Sequence, residues 1–110
     1  LPISTREFLF SDDLADGMLF LMNNYESPEV LNIGPNREVS IKELSELVAA
    51  EVGYEGEIVW DITKPNGTPR RALDTSKMDS LGWKAQTQLE DGLKITVDWF
   101  LQNRSNYVRV

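Results

Sequence analysis

The apolar positions of this chain recur in two rhythms, short continuous runs and helical stripes. After Arg6 and Glu7, residues 8–10 complete a mostly apolar stretch, and residues 6–10 are predicted to form a short strand. Ser11, Asp12 and Asp13 then open a helix. A serine cap and two carboxylates in the first turn suit the free N–H groups and the positive end of the helix dipole. Leu14, Met18, Leu21, Met22 and Tyr25 mark one face of it, ending near Asn24; Leu19 and Phe20 widen the stripe, so the helix is expected to have partners on two sides. Glu26, Ser27 and Pro28 break the pattern. Residues 30–33 form a second predicted strand, closed by Gly34, Pro35 and Asn36.

Ser40 and Glu43 have the spacing of a capping box, with Val39 and Leu44 as its hydrophobic staple. Ile41, Leu44, Leu47, Val48 and Val52 follow at helical spacing, and Gly53 suits the left-handed position that ends a helix. Residues 57–61 are the third predicted strand. A short helix is expected through Lys77, Met78 and Leu81, stopped at Gly82, with Trp83 plugging the core. Thr87 and Glu90 repeat the capping-box spacing ahead of a last helix carrying Leu89, Leu93, Val97, Phe100 and Leu101, which ends near Asn103. Residues 105–110 read as a frayed tail. The order strand, helix, strand, helix, strand, helix, helix predicts an α/β domain with a small sheet. No internal repeat or low-complexity segment interrupts it.

Length and composition narrow the picture. The 110 residues, 41% of them hydrophobic, suffice for one domain with a core, so residues 1–110 are expected to form a single domain. No apolar run approaches the roughly 18 residues a membrane helix needs, and no membrane partner is expected. With no cysteine there is no disulfide framework, zinc-thiolate site or thiol nucleophile, and with no histidine the usual general base is missing. Eighteen acids against 11 bases give a net charge of −7, which argues against a nucleic-acid partner. A cytoplasmic protein is expected. The chain opens on Leu1 rather than an initiator methionine, as a piece of a longer protein would.

Against that acidic background residues 64–71 stand out: Lys64, Arg70 and Arg71 lie in a loop with Pro65, Pro69, Asn66 and Gly67. Prolines restrict the backbone, and arginine forks pair bidentately with phosphate oxygens. If the loop folds back towards Arg6, it makes a diphosphate site; if each arginine instead pairs with one of the many acids, it is a solvated connector. No catalytic constellation is present: no Gly-x-Gly-x-x-Gly, no phosphate-binding P-loop, no metal-spaced cluster, and no tyrosine followed four residues later by lysine. The paired Asp12 and Asp13 are accounted for by helix capping.

These segments have a family likeness. Residues 6–16, reading Arg-Glu-Phe-Leu-Phe-Ser-Asp-Asp-Leu-Ala-Asp, resemble the R-E-F-L-H-V-D-D-L-A-D segment of the GDP-L-fucose synthases, which are extended short-chain dehydrogenases/reductases. Residues 32–34 and 39–44 resemble their N-V-G and T-I-R-E-L segments, residues 53–61 their G-[YF]-x-G-x-I-V-[WF]-D segment, and residues 64–74 their K-P-D-G-T-P-R-K-L-L-D loop. Leu81-Gly82-Trp83 and the last helix agree as well. Asn66 stands where the family has an acid, Phe10 where it commonly has histidine, and residues 1–5 lack its G-S-G-x-P pattern.

The resemblance implies a small C-terminal substrate-binding domain of short strands and about four helices, with the Rossmann part absent. It implies a parent enzyme that converts GDP-4-keto-6-deoxy-D-mannose to GDP-L-fucose by epimerisation at two sugar carbons and reduction with NADPH. Substrate binding would fall to Arg6, Lys64, Asn66 and Arg71. No catalytic or cofactor residue is expected on this chain, which would be inactive alone. The implied partners are a GDP-sugar, the chain's own N-terminal Rossmann domain and, for the parent, a second copy in a homodimer. Another nucleotide-sugar epimerase or reductase, and a stand-alone binding module, are the alternatives.

Overall fold

The computed structural model describes residues 3–64 and 67–107. Among the described residues there are four helices and a minimal sheet: β1 (Thr5–Arg6), α1 (Ser11–Asn24), β2 (Val39–Ser40), α2 (Ile41–Val52), α3 (Ser76–Ser80) and α4 (Leu89–Asn103), followed by a 3-10 turn, Arg104–Asn106. The four helices and short strands are those of the expected fold class, but the strands lie elsewhere. β1 keeps only Arg6 of residues 6–10, and residues 30–33 and 57–61 form no strand. A strand persists only where a neighbour takes its hydrogen bonds. Among the described residues no backbone–backbone hydrogen bond reaches either segment, and Val30 and Val59 are 85% and 78% exposed.

β1 instead pairs antiparallel with β2, Thr5 opposite Ser40 and Arg6 opposite Val39, while Thr5 also bridges Arg70 in the parallel sense. The segment holding Arg70 thus lies along the other edge of β1.

Helix ends follow local chemistry only in part. At α2, Ser40 is the cap and its hydroxyl accepts the Glu43 N–H at 3.0 Å. Gly53, at φ 74°, closes the helix in the left-handed region as expected. At α1 the cap is Phe10, with no side-chain cap bond, so Ser11 is the first helical residue rather than the cap. At α4 the cap is Gln88, also without a side-chain bond. The expected Thr87–Glu90 box is absent because both side chains have other partners. Thr87 donates its backbone N–H and its hydroxyl to Asp13, and Glu90 pairs with Arg37. Asp13 is therefore a buried tie between α1 and the turn before α4, as well as a first-turn acid.

Val39, Met78 and Trp83 form the buried apolar core, joined by buried Ser4, Asp13 and Thr75. The indole N–H of Trp83 donates to Asp16 Oδ2 at 2.9 Å. Gly17 lets α1 approach this ring: a Cβ there would meet Ile33 Cδ1 and come within 3.0 Å of Trp83 Cζ2. α3 ends at Ser80, with Leu81 as its cap and Gly82 directly after it at φ 95°. The segment after α4 is not frayed through residue 107, because the Trp99 and Tyr107 rings meet at 5.5 Å between centroids. No described helix is long and apolar enough to cross a membrane.

Candidate functional site

The loop expected to carry function is held along β1. The Thr5 N–H donates to Pro69 O at 2.9 Å, and the Arg71 N–H donates back to Thr5 O at 3.2 Å. Two residues on, the Leu73 N–H donates to Glu7 Oε1 at 2.6 Å. Residues 69–73 are thus tied to residues 5–7. The near end of the loop also folds over: a Cβ on Gly67 would lie 3.5 Å from Arg6 Nη2. The condition set by the sequence, that the loop return to Arg6, is met.

The arginines divide into two kinds. Arg70 lies fork to fork with Glu38, Nε to Oε1 at 2.6 Å and Nη2 to Oε2 at 2.8 Å, and the Thr5 hydroxyl donates to the same Oε1 at 3.2 Å. The hydrogen bond from Arg70 holds the Glu38 carboxyl below its ordinary range, and Glu38 in turn raises the guanidinium of Arg70. For Arg70 the acid-pairing reading is the right one. Arg6 donates Nη1 to the Thr5 carbonyl at 2.7 Å, and neither Arg6 nor Arg71 pairs with a carboxylate among the described residues.

Arg6, Glu7, Arg70, Arg71, Ala72 and Leu73 line one open groove of about 540 Å³. Glu7 is engaged with the Leu73 N–H, which leaves Arg6 and Arg71 as the cations facing the groove without a carboxylate. Planar guanidinium groups there can take an oxyanion bidentately, and a diphosphate is the ligand that matches two of them. Lys64 is exposed and does not line the groove, and Asn66 lies outside the described residues.

Glu38 and Glu7 were not among the residues singled out from the sequence. No local spacing links Glu38 to Arg70 across the intervening residues; only the threading of β1 between their segments does. The remaining candidates are structural. Tyr25 and Tyr54 donate their hydroxyls to the carbonyls of Glu29 and Glu57. Among the described residues no group of three or more acids or other ligands could hold a metal ion.

No protein-family model matches the chain. GDP-L-fucose synthase 1 of Arabidopsis thaliana is 54% identical over 101 residues, which is 92% of this chain and 31% of that protein. A solved GDP-L-fucose synthetase from Naegleria fowleri, bound to NADP, superposes with a TM-score of 0.89 at 30% identity, over 96% of this chain and 34% of that one. A UDP-glucose 4-epimerase from Thermotoga maritima, solved with UDP-glucose, gives 0.83 at 30% identity, over 94% and 33%. The chain spans about a third of the length of the relatives it matches. In sequence and in fold the chain matches the C-terminal part of the GDP-L-fucose synthases and is similar to related short-chain dehydrogenases/reductases.

Proposed function

We propose that this chain is the substrate-binding part of a GDP-L-fucose synthase, an NADPH-dependent epimerase-reductase acting on GDP-4-keto-6-deoxy-D-mannose. The observation that carries the reading is the pair Arg6 and Arg71, both lining one groove and neither held by a carboxylate of the described residues. Each guanidinium offers parallel N–H donors to phosphate oxygens. The main-chain bonds from Thr5 to residues 69 and 71 fix the spacing between them in advance of binding, so little ordering is left for the ligand to drive. Gripping the diphosphate would orient the attached sugar for chemistry performed by groups outside this chain.

The residues present do not fit a nicotinamide dinucleotide. There is no Gly-x-Gly-x-x-Gly, and the two glycines of positive φ, Gly53 and Gly82, follow helices instead of opening one. The cofactor would be held by the rest of the parent. The test is GDP binding to the full-length protein, followed by turnover of the keto-sugar nucleotide with NADPH, read as loss of nicotinamide absorbance. Tight GDP binding with turnover supports the reading; absence of both sinks it.

A second reading has one observation in its favour. The fold is shared with a UDP-glucose 4-epimerase, and a diphosphate grip serves either base. Competition of UDP against GDP separates them: displacement of GDP at equal concentrations of UDP favours the second.

A further inference from the structure

Resting on that reading of the groove, we infer that Glu38 is a positioning residue for the diphosphate. It occupies the Arg70 fork and the Thr5 hydroxyl, so that of the three arginines lining the groove Arg6 and Arg71 are left to meet the ligand.

Thr5 and Arg70 are bridge partners, and both reach Glu38, at 3.2 Å for the hydroxyl and 2.6 and 2.8 Å for the fork. Arg6 and Arg71, each one residue further along, are not held by Glu38, although all three arginines line the groove. Glu38 itself directly precedes β2, whose Ser40 lies opposite Thr5, so its carboxylate is placed by the sheet and not by a free loop. One acid thus joins three strand-like segments. Without it, the Arg70 guanidinium, already at the groove, loses the carboxylate that occupies its fork, and the register of residues 69–71 against β1 rests on two main-chain bonds.

The sign of one mutation separates positioning from plain charge. Removing an acid close to an anion site strengthens anion binding by Coulomb's law. If Glu38 positions the loop, removing its charge weakens it. GDP affinity is measured by calorimetry on the full-length protein for Glu38→Gln, Arg70→Gln, the double variant, Arg70→Lys and Arg71→Ala, at a temperature below every unfolding transition. The expected result is a loss of about tenfold in each of Glu38→Gln and Arg70→Gln, with the double variant within about twofold of either single, because the two act as one unit. Arg70→Lys, which keeps the charge without the fork, weakens binding similarly. It carries the test if Glu38→Gln fails to fold.

Tighter GDP binding in Glu38→Gln, or full binding in Arg70→Lys, overturns the inference. Unchanged affinity in Glu38→Gln while Arg71→Ala loses binding overturns the role of Glu38 alone. Unchanged affinity in Arg71→Ala overturns the reading of the groove and the role of Glu38 with it.

Discussion

The carboxylate of Asp13 accepts two hydrogen bonds from Thr87, from the backbone N–H at 3.0 Å and from the hydroxyl at 3.3 Å. Asp13 is buried in the first turn of α1, and Thr87 lies two residues before α4, so this one side chain fixes the approach of the two longest helices. Replacing it with alanine leaves the half-buried Thr87 N–H without its acceptor, and Asp13→Ala is expected to lower stability by about 1–3 kcal/mol. Asp13→Asn, which keeps one acceptor oxygen, loses less. Urea unfolding midpoints check both; equal midpoints for wild type and Asp13→Ala would rule out the tie.

Gly17 tests the packing of the core. Alanine is favoured over glycine within a helix by about 1 kcal/mol. Here the added Cβ meets Ile33 Cδ1, which can rotate away, and Trp83 Cζ2 at 3.0 Å, which is buried and held by Asp16. Overpacking of this kind costs about 1–3 kcal/mol, so the net effect of Gly17→Ala is a lower thermal midpoint. A raised midpoint would mean that the indole moves freely.

Arg37 and Glu90 set an acid dependence. Two hydrogen bonds from the guanidinium, at 2.7 and 2.9 Å, and then a backbone hydrogen bond, hold the Glu90 carboxyl down at about 2 against an ordinary 4.5. The ionised form is the one favoured by folding, so its contribution is complete above pH 4.5 and disappears as pH falls through about 2. The pair is exposed, and its contribution is small. Glu90→Gln is expected to lower the thermal midpoint at neutral pH and to flatten its decline between pH 4.5 and 2. Parallel pH profiles for the two proteins would contradict this.

At the groove, Arg71→Ala and Arg6→Ala in the full-length protein are each expected to raise KM about tenfold or more, with a smaller change in kcat, as removal of uniform binding does. Arg71→Lys restores the charge but not the fork and recovers only part of the loss. Steady-state kinetics with the keto-sugar nucleotide decides. Unchanged KM removes the residue from the site.

The elements that were legible in the sequence are those that close on themselves. α2 has its cap at Ser40, its stop at Gly53 and its stripe between, all within one segment, and it forms where expected. Residues 30–33 and 57–61 have strand composition, but a strand is a relation between two segments, and among the described residues no backbone pairs with either. The Thr87–Glu90 spacing failed for a related reason. Asp13 and Arg37, distant in sequence, compete for both side chains and win. The same limit applied at the site. The loop and Arg6 stood out by charge and rigidity, whereas the division of labour between Arg70 and Arg71 depends on Glu38, which only the folded arrangement of β1 and β2 brings near.

The most direct test of the account is a crystal structure of the full-length protein with GDP bound. The prediction is that diphosphate oxygens lie within about 3 Å of the Arg6 and Arg71 guanidinium groups, while Arg70 remains on Glu38. A diphosphate bound away from this groove, or one gripped by an Arg70 that has left Glu38, would contradict it.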